Sequence, residues 1–112
     1  MLSYELCKAL KSAGFPQPHR LNREYYTFGG SLVGGWQIEK VEDGFLLIPI
    51  LGDLIEMCGD KFTSLHRNPN TGTWSAIAFT APQLEGITPE EAVANLWLSL
   101  NEQLVLKLPI TQ

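Results

Sequence analysis

Residues 88–91 read Thr-Pro-Glu-Glu, and this stretch limits what the chain can fold into more than any other. A threonine N-cap, a proline at the first helical position and a glutamate three residues after the cap together suit a helix start, whose first N–H groups otherwise lack partners. Beyond it Ala92, Val93, Leu96, Trp97 and Leu100 recur at helical spacing, which predicts a helix over residues 88–101 with one apolar face to dock on a sheet. The sheet has an equally local signal. Residues 62–67 and 73–80 carry β-pattern, with Trp74 and Phe79 in the second run, and Asn68-Pro69-Asn70-Thr71-Gly72 between them concentrates turn formers. A hairpin leading into a helix that can cover it makes the chain α+β.

The first half is written less plainly. Ser3 is an N-cap, Leu2, Leu6, Leu10 and Ala13 recur near helical spacing, and Gly14 with Pro16 ends the pattern, so a helix is predicted over residues 3–13. Residues 15–23 hold two prolines and no period and read as a connecting loop. Tyr25, Tyr26 and Phe28 are β-formers entering Gly29-Gly30-Ser31-Leu32-Val33-Gly34-Gly35, a run that reads as a hinge or bulge. Alternation from Trp36 to Val41, turn chemistry at Glu42-Asp43-Gly44 and the apolar run from Phe45 predict a hairpin over residues 36–50. Asp53 then caps a short helix that Gly59 ends. The tail from Leu104 to Ile110, apolar and containing Pro109, reads as an edge strand or an arm, and a homodimer is one way to cover it. At 112 residues a single α+β domain is expected, its antiparallel sheet of two hairpins packed against the C-terminal helix with the N-terminal helix completing the layer.

Composition narrows the function classes. Eight Lys+Arg against twelve Asp+Glu give a net charge of −4 at pH 7, which offers no bulk attraction to phosphate backbones or anionic lipid. The start lacks the basic and apolar regions of a secretory signal, and the apolar run from Phe45 to Leu51 is far short of a membrane span, so a cytoplasmic setting without membrane contact is expected. Cys7 and Cys58 each sit in a helical apolar pattern and read as buried free thiols. Together with His19 and His66 they form no C-x-x-C or H-x-x-x-H pair, so neither a metal site nor a cofactor is expected. The glycine run is followed by no Gly-Lys-Ser/Thr, and the carboxylates at Asp43, Asp53, Glu90 and Glu91 have turn or helix-end roles, so no catalytic set stands out.

Two groups remain as candidate sites. Tyr25, Tyr26, Phe28 and Trp36, beside flexible glycines, are candidates for binding a protein partner. Lys8, Lys11, Arg20 and Arg23, with only Glu5 among residues 1–23 to oppose them, form a basic patch that could serve nucleic acid, although a solvated helix face accounts for them equally. The sequence over residues 61–102, with Gly86, Thr88, Glu91 and Ala92 at the strand-to-helix junction, resembles HicB-type antitoxin domains and their Gly-x-Thr-x-x-Glu-Ala motif. The whole chain, through Ala13-Gly14-Phe15-Pro16-Gln17, residues 54–60 and residues 88–97, is also similar to small proteins of bacterial genomes and prophages. The missing catalytic set and the resemblance together lead to the expectation of a non-catalytic module that binds a protein, regulatory and of mobile-element origin. A nucleic-acid-binding module on the basic patch is the first alternative, and a small ligand-binding protein or enzyme with a cleft near the glycine run is the second.

Overall fold

The structure is a computed structural model that describes residues 1–27, 29–38, 44–79 and 81–107, with side chains at all of these except 81, 82 and 102–107. The chain divides into two units, residues 1–50 and residues 51–112, and the described residues of the two hold three α-helices and two three-stranded antiparallel sheets. The architecture is thus α+β, with its strands shared between two sheets. Among the described residues no helix is long and apolar enough to cross a membrane.

The second unit follows its local signals. Helix α2 covers Leu51–Cys58, so Asp53 lies inside its first turn and is not the cap, while Gly59 at φ +62° ends it as expected. Strands β4 (Phe62–Arg67) and β5 (Trp74–Ala78) form the predicted hairpin. Its turn is closed by Asn68 N–H to Thr73 O at 2.8 Å, by Asn68 Oδ1 accepting from Asn70 N–H at 2.9 Å, and by Gly72 at φ +75°. A third strand, β6 (Ala81–Gly86), then pairs with β5 between the predicted hairpin and the predicted helix. Pro82 hides it from the pattern, and β6 tolerates that proline because it is the end strand in the order β4-β5-β6. Helix α3 spans Pro89–Lys107, so residues 104–107 of the expected edge strand or arm are helical, and residues 108–112 lie outside the described residues. It packs along β5, β6 and α2, with Ala92, Val93, Ala94 and Leu96 fully buried.

The junction between β6 and α3 explains its sequence motif. Thr88 Oγ1 accepts from Glu91 N–H at 3.1 Å, and the Glu91 carboxylate reaches back to Ile87 N–H at 3.5 Å. A side chain on Gly86 would come within 2.5 Å of Ala92 N, so glycine is required there for strand and helix to approach. Every residue of Gly-x-Thr-x-x-Glu-Ala therefore has a structural task.

The first unit is built differently. Helix α1 (Tyr4–Ser12) is capped by Ser3, whose hydroxyl accepts from Leu6 N–H at 3.2 Å, and it stops at Gly14 with φ +97°. Strands β1 (Glu24–Tyr26), β2 (Leu32–Gly34) and β3 (Leu46–Ile48) are three residues each and run in the order β2-β1-β3. Where the predicted hairpin of residues 36–50 is described it differs from expectation: β3 pairs with β1 and Trp36 sits in a 3-10 turn over Gly35–Gln37, while residues 39–43 lie outside the described residues. The glycine run instead supplies β2 itself, after a turn in which Gly30 takes φ +87°. Tyr25 and Tyr26, neighbours that must point to opposite faces, are both buried because each face is covered. The Tyr26 hydroxyl donates to Leu2 O at 2.6 Å and its ring meets Tyr4 of α1 edge-on. On the other face the Tyr25 hydroxyl donates to Pro18 O at 2.6 Å and accepts from Arg20 N–H at 2.8 Å.

Candidate functional site

These tyrosine contacts correct two of the partner-binding candidates. Tyr25 has no solvent exposure and Tyr26 only 9 %, so both are core residues whose hydroxyls tie the connecting segment and α1 to the sheet. Phe28 lies outside the described residues. Of the three described, Trp36 is at the surface, with 72 % of its area exposed.

Trp36 is held in place by its neighbours. The chain enters its turn from Gly35, whose N–H donates to Arg23 O at 2.7 Å and whose carbonyl accepts from His19 Nε2 at 3.0 Å. Gly35 is pressed so closely onto the backbone of Arg20 that no side chain fits there. The indole lies against Gly34: a Cβ at that position would fall 2.6 Å from Trp36 Nε1. The five-membered ring of the indole therefore lies against a glycine, and most of the side chain is left to solvent.

Around this seat is an open cleft of about 420 Å³, walled by residues 21–24, by β2 and by Trp36 with Gln37. Three of its lining residues are large, apolar and exposed: Leu21 at 68 %, Leu32 at 51 % and Trp36. Sequence reasoning missed Leu21, which sits in a polar connection without period, and Leu32, whose glycine neighbours masked the strand it belongs to. Arg23 and Glu24 add one cation and one anion to the same wall.

The cleft runs along an end strand. Thr27 N–H donates to Ser31 O and Gly35 N–H to Arg23 O, both at 2.7 Å. By the alternation of an antiparallel ladder, the N–H and C=O groups of Leu32 and Gly34 then point away from β1. Gln37 Oε1 accepts from Gly34 N–H at 2.8 Å. At the opposite end of the sheet Gln17 Oε1 accepts from the outward Leu47 N–H at 2.9 Å. Two glutamine side chains thus occupy backbone donors at the two edges, and neither was singled out by the sequence.

The basic residues have separate local settings. Lys8 lies on α1 with its Nζ 5.9 Å from the centre of the Tyr4 ring, and Lys11 is in the last turn of the same helix, where its charge complements the helix dipole. Arg20 is exposed, whereas Arg23 is half-buried in the cleft wall.

Cys7 and Cys58 are free and buried. Burial pushes the Cys7 thiol up to about 12, against a small opposing effect of the N-terminal ammonium, and pushes Cys58 up to about 11. Both stay protonated near neutral pH, the opposite of what a thiolate nucleophile needs. Cys58 also lines a cleft of about 190 Å³ with Met57, Lys61, Trp97, Leu100 and Asn101. His66 Nε2 and Ser64 Oγ lie 3.0 Å apart on one face of β4, but His66 is exposed and the pair lines neither cleft. Among the described residues no three His, Cys, Asp or Glu side chains come together as metal ligands.

Comparison with protein-family models, with curated proteins and with solved structures returns no match.

Proposed function

We propose that the protein is a non-catalytic binding module that engages a protein partner through the cleft formed by Leu21, Leu32 and Trp36. The observation that carries this reading is the clustering of these three exposed apolar side chains along one strand edge. Water-exposed leucines scattered singly need no explanation, but a tryptophan beside two of them has the make-up of an interaction hot spot. A cytoplasmic, regulatory role of mobile-element origin belongs to the same proposal and is supported only by the resemblance of residues 61–102 and of the whole chain noted above. The raised thiols of Cys7 and Cys58 support a role without covalent catalysis.

A small-molecule ligand is the second reading, favoured by a cleft volume of about 420 Å³, within the ~300–1,000 Å³ typical of ligand sites. The protein partner ranks above it because the apolar groups stand out of the surface and do not converge on an enclosed space. The test is capture from a lysate of the source organism with wild type, Trp36→Asp and Lys8→Glu. A protein retained by wild type and Lys8→Glu but lost with Trp36→Asp is expected. Retention by Trp36→Asp and loss with Lys8→Glu would move the site to the basic residues.

A further inference from the structure

We infer that the partner presents an arginine side chain to this cleft, its guanidinium laid on the exposed indole of Trp36 and paired with the carboxylate of Glu24; this rests on the proposed role of the cleft. The register of the sheet brings the two groups together. Glu24 lies directly opposite Gly34, and directly opposed residues of an antiparallel pair send their side chains to the same face, with Cβ atoms about 4.5–5.5 Å apart. Gly34 has no Cβ, and the indole lies where one would project: Trp36 Nε1 is 2.6 Å and Cδ1 2.9 Å from that position. The indole thus takes the place of the cross-strand neighbour of Glu24. Leu32, two residues before Gly34 on the same strand face and 51 % exposed, adds an apolar surface for the methylene stem of the incoming side chain.

Charge and exposure select the occupant. Glu24 is exposed, whereas Arg23, the positive group of the same wall, is half-buried and engaged within the chain. The cleft therefore offers a carboxylate beside an open aromatic surface, set among leucines. An arginine side chain matches all three: its planar guanidinium stacks on an indole, its N–H donors fork onto a carboxylate, and its stem is apolar. A lysine ammonium is a compact point charge, more strongly hydrated, and lacks the fork. Backbone pairing is closed at this point, because Gly34 N–H is already held by Gln37 Oε1 at 2.8 Å. Recognition beside Trp36 falls to side chains.

Selection of random phage-displayed peptides against the full chain tests this, with Trp36→Asp as counter-selection so that only peptides needing the indole are kept. Arginine at one shared position is the expected result. The charge is then swapped: Glu24→Lys should weaken a selected peptide at least about tenfold, and should bind the same peptide with glutamate in place of that arginine more tightly than wild type does. Glu24→Gln, which keeps the size of an exposed side chain and so leaves the fold in place, should give a smaller loss of about two- to fivefold. Trp36-dependent peptides that share no arginine, that share an acidic residue and lose binding with Arg23→Gln, or that bind Glu24→Gln as tightly as wild type overturn the inference while leaving the partner-binding role intact. A selection that yields no Trp36-dependent peptide overturns both.

Discussion

The two units of this chain reach order by different means. In residues 51–112 the strands β4, β5 and β6 are five or six residues long, and the hydrogen bonds that end elements join residues near in sequence, as in Thr88 with Glu91 or Asn68 with Asn70. Among the described residues of 1–50, strands β1, β2 and β3 have three residues each, and side chains tie distant backbone: Tyr26 to Leu2, Gln17 to Leu47, His19 to Gly35. Three-residue strands offer few ladder bonds, so buried hydroxyl, amide and imidazole groups replace them as the fixed points. Local order is written in short motifs. Long-range order depends on which residues meet in three dimensions.

The sharpest way to break the first unit is therefore one atom at a point of contact. Gly35→Ala puts a methyl group into the carbonyl of Arg20, a backbone atom that cannot swing aside, at a residue also bonded to Arg23 and His19. Destabilisation above about 4 kcal/mol is expected, among the largest single-site effects, read as loss of near-native signals for residues 1–50. A melting temperature close to wild type would show that the segment carrying Arg20 is free to move.

In the second unit the largest effect should come from the core, not from a tie. Trp97 is 8 % exposed on α3, and Trp97→Ala should cost about 3–5 kcal/mol in denaturant unfolding, whereas the cap substitution Thr88→Ala should cost only about 1 kcal/mol. Near-equal values for the two would mean that α3 is held by its start and not by its buried face.

The way these elements were legible follows the same division. The hairpin of β4 and β5, the start of α3 and both ends of α1 could be read because turn and cap residues act within a few positions. Strand β6 was hidden by Pro82, and β2 by flanking glycines. Tyr25 and Tyr26 looked like a surface because two neighbouring aromatics cannot share one buried face. Only a sheet covered on both sides buries them together, and that covering by α1 and residues 18–20 has no local signature. The candidate site was legible only at Trp36. Leu21, Leu32 and Gln37 join it through the pairing of β1 with β2.

A smaller effect should appear in alkaline solution. Cys7 is held as a neutral thiol with its pKa raised from 9.0 to about 12, and Cys58 from 9.0 to about 11. A folded-state pKa above the unfolded value means the unfolded chain loses its protons first. The contribution of these thiols is thus complete below pH 9 and declines as pH rises through the interval up to the folded values, by up to about 1.4 kcal/mol per pH unit for each thiol. Unfolding free energies measured from pH 8 upward should fall in that window. Cys7→Ala, after allowance for its lower starting stability, should flatten the slope, and an unchanged slope would place the Cys7 thiol in contact with water.

The most direct test of long-range ties as the source of order in residues 1–50 is amide hydrogen exchange at Leu47 and Arg20. Neither N–H belongs to the ladder bonds of the sheet; each is bonded to a distant or non-ladder side chain, Leu47 to Gln17 Oε1 and Arg20 to the Tyr25 hydroxyl. Both should exchange as slowly as the amides of β1, with Gln17→Ala releasing Leu47 and Tyr25→Phe releasing Arg20. Exchange of both at the rate of an unstructured chain in the wild-type protein, while β1 remains protected, would contradict it.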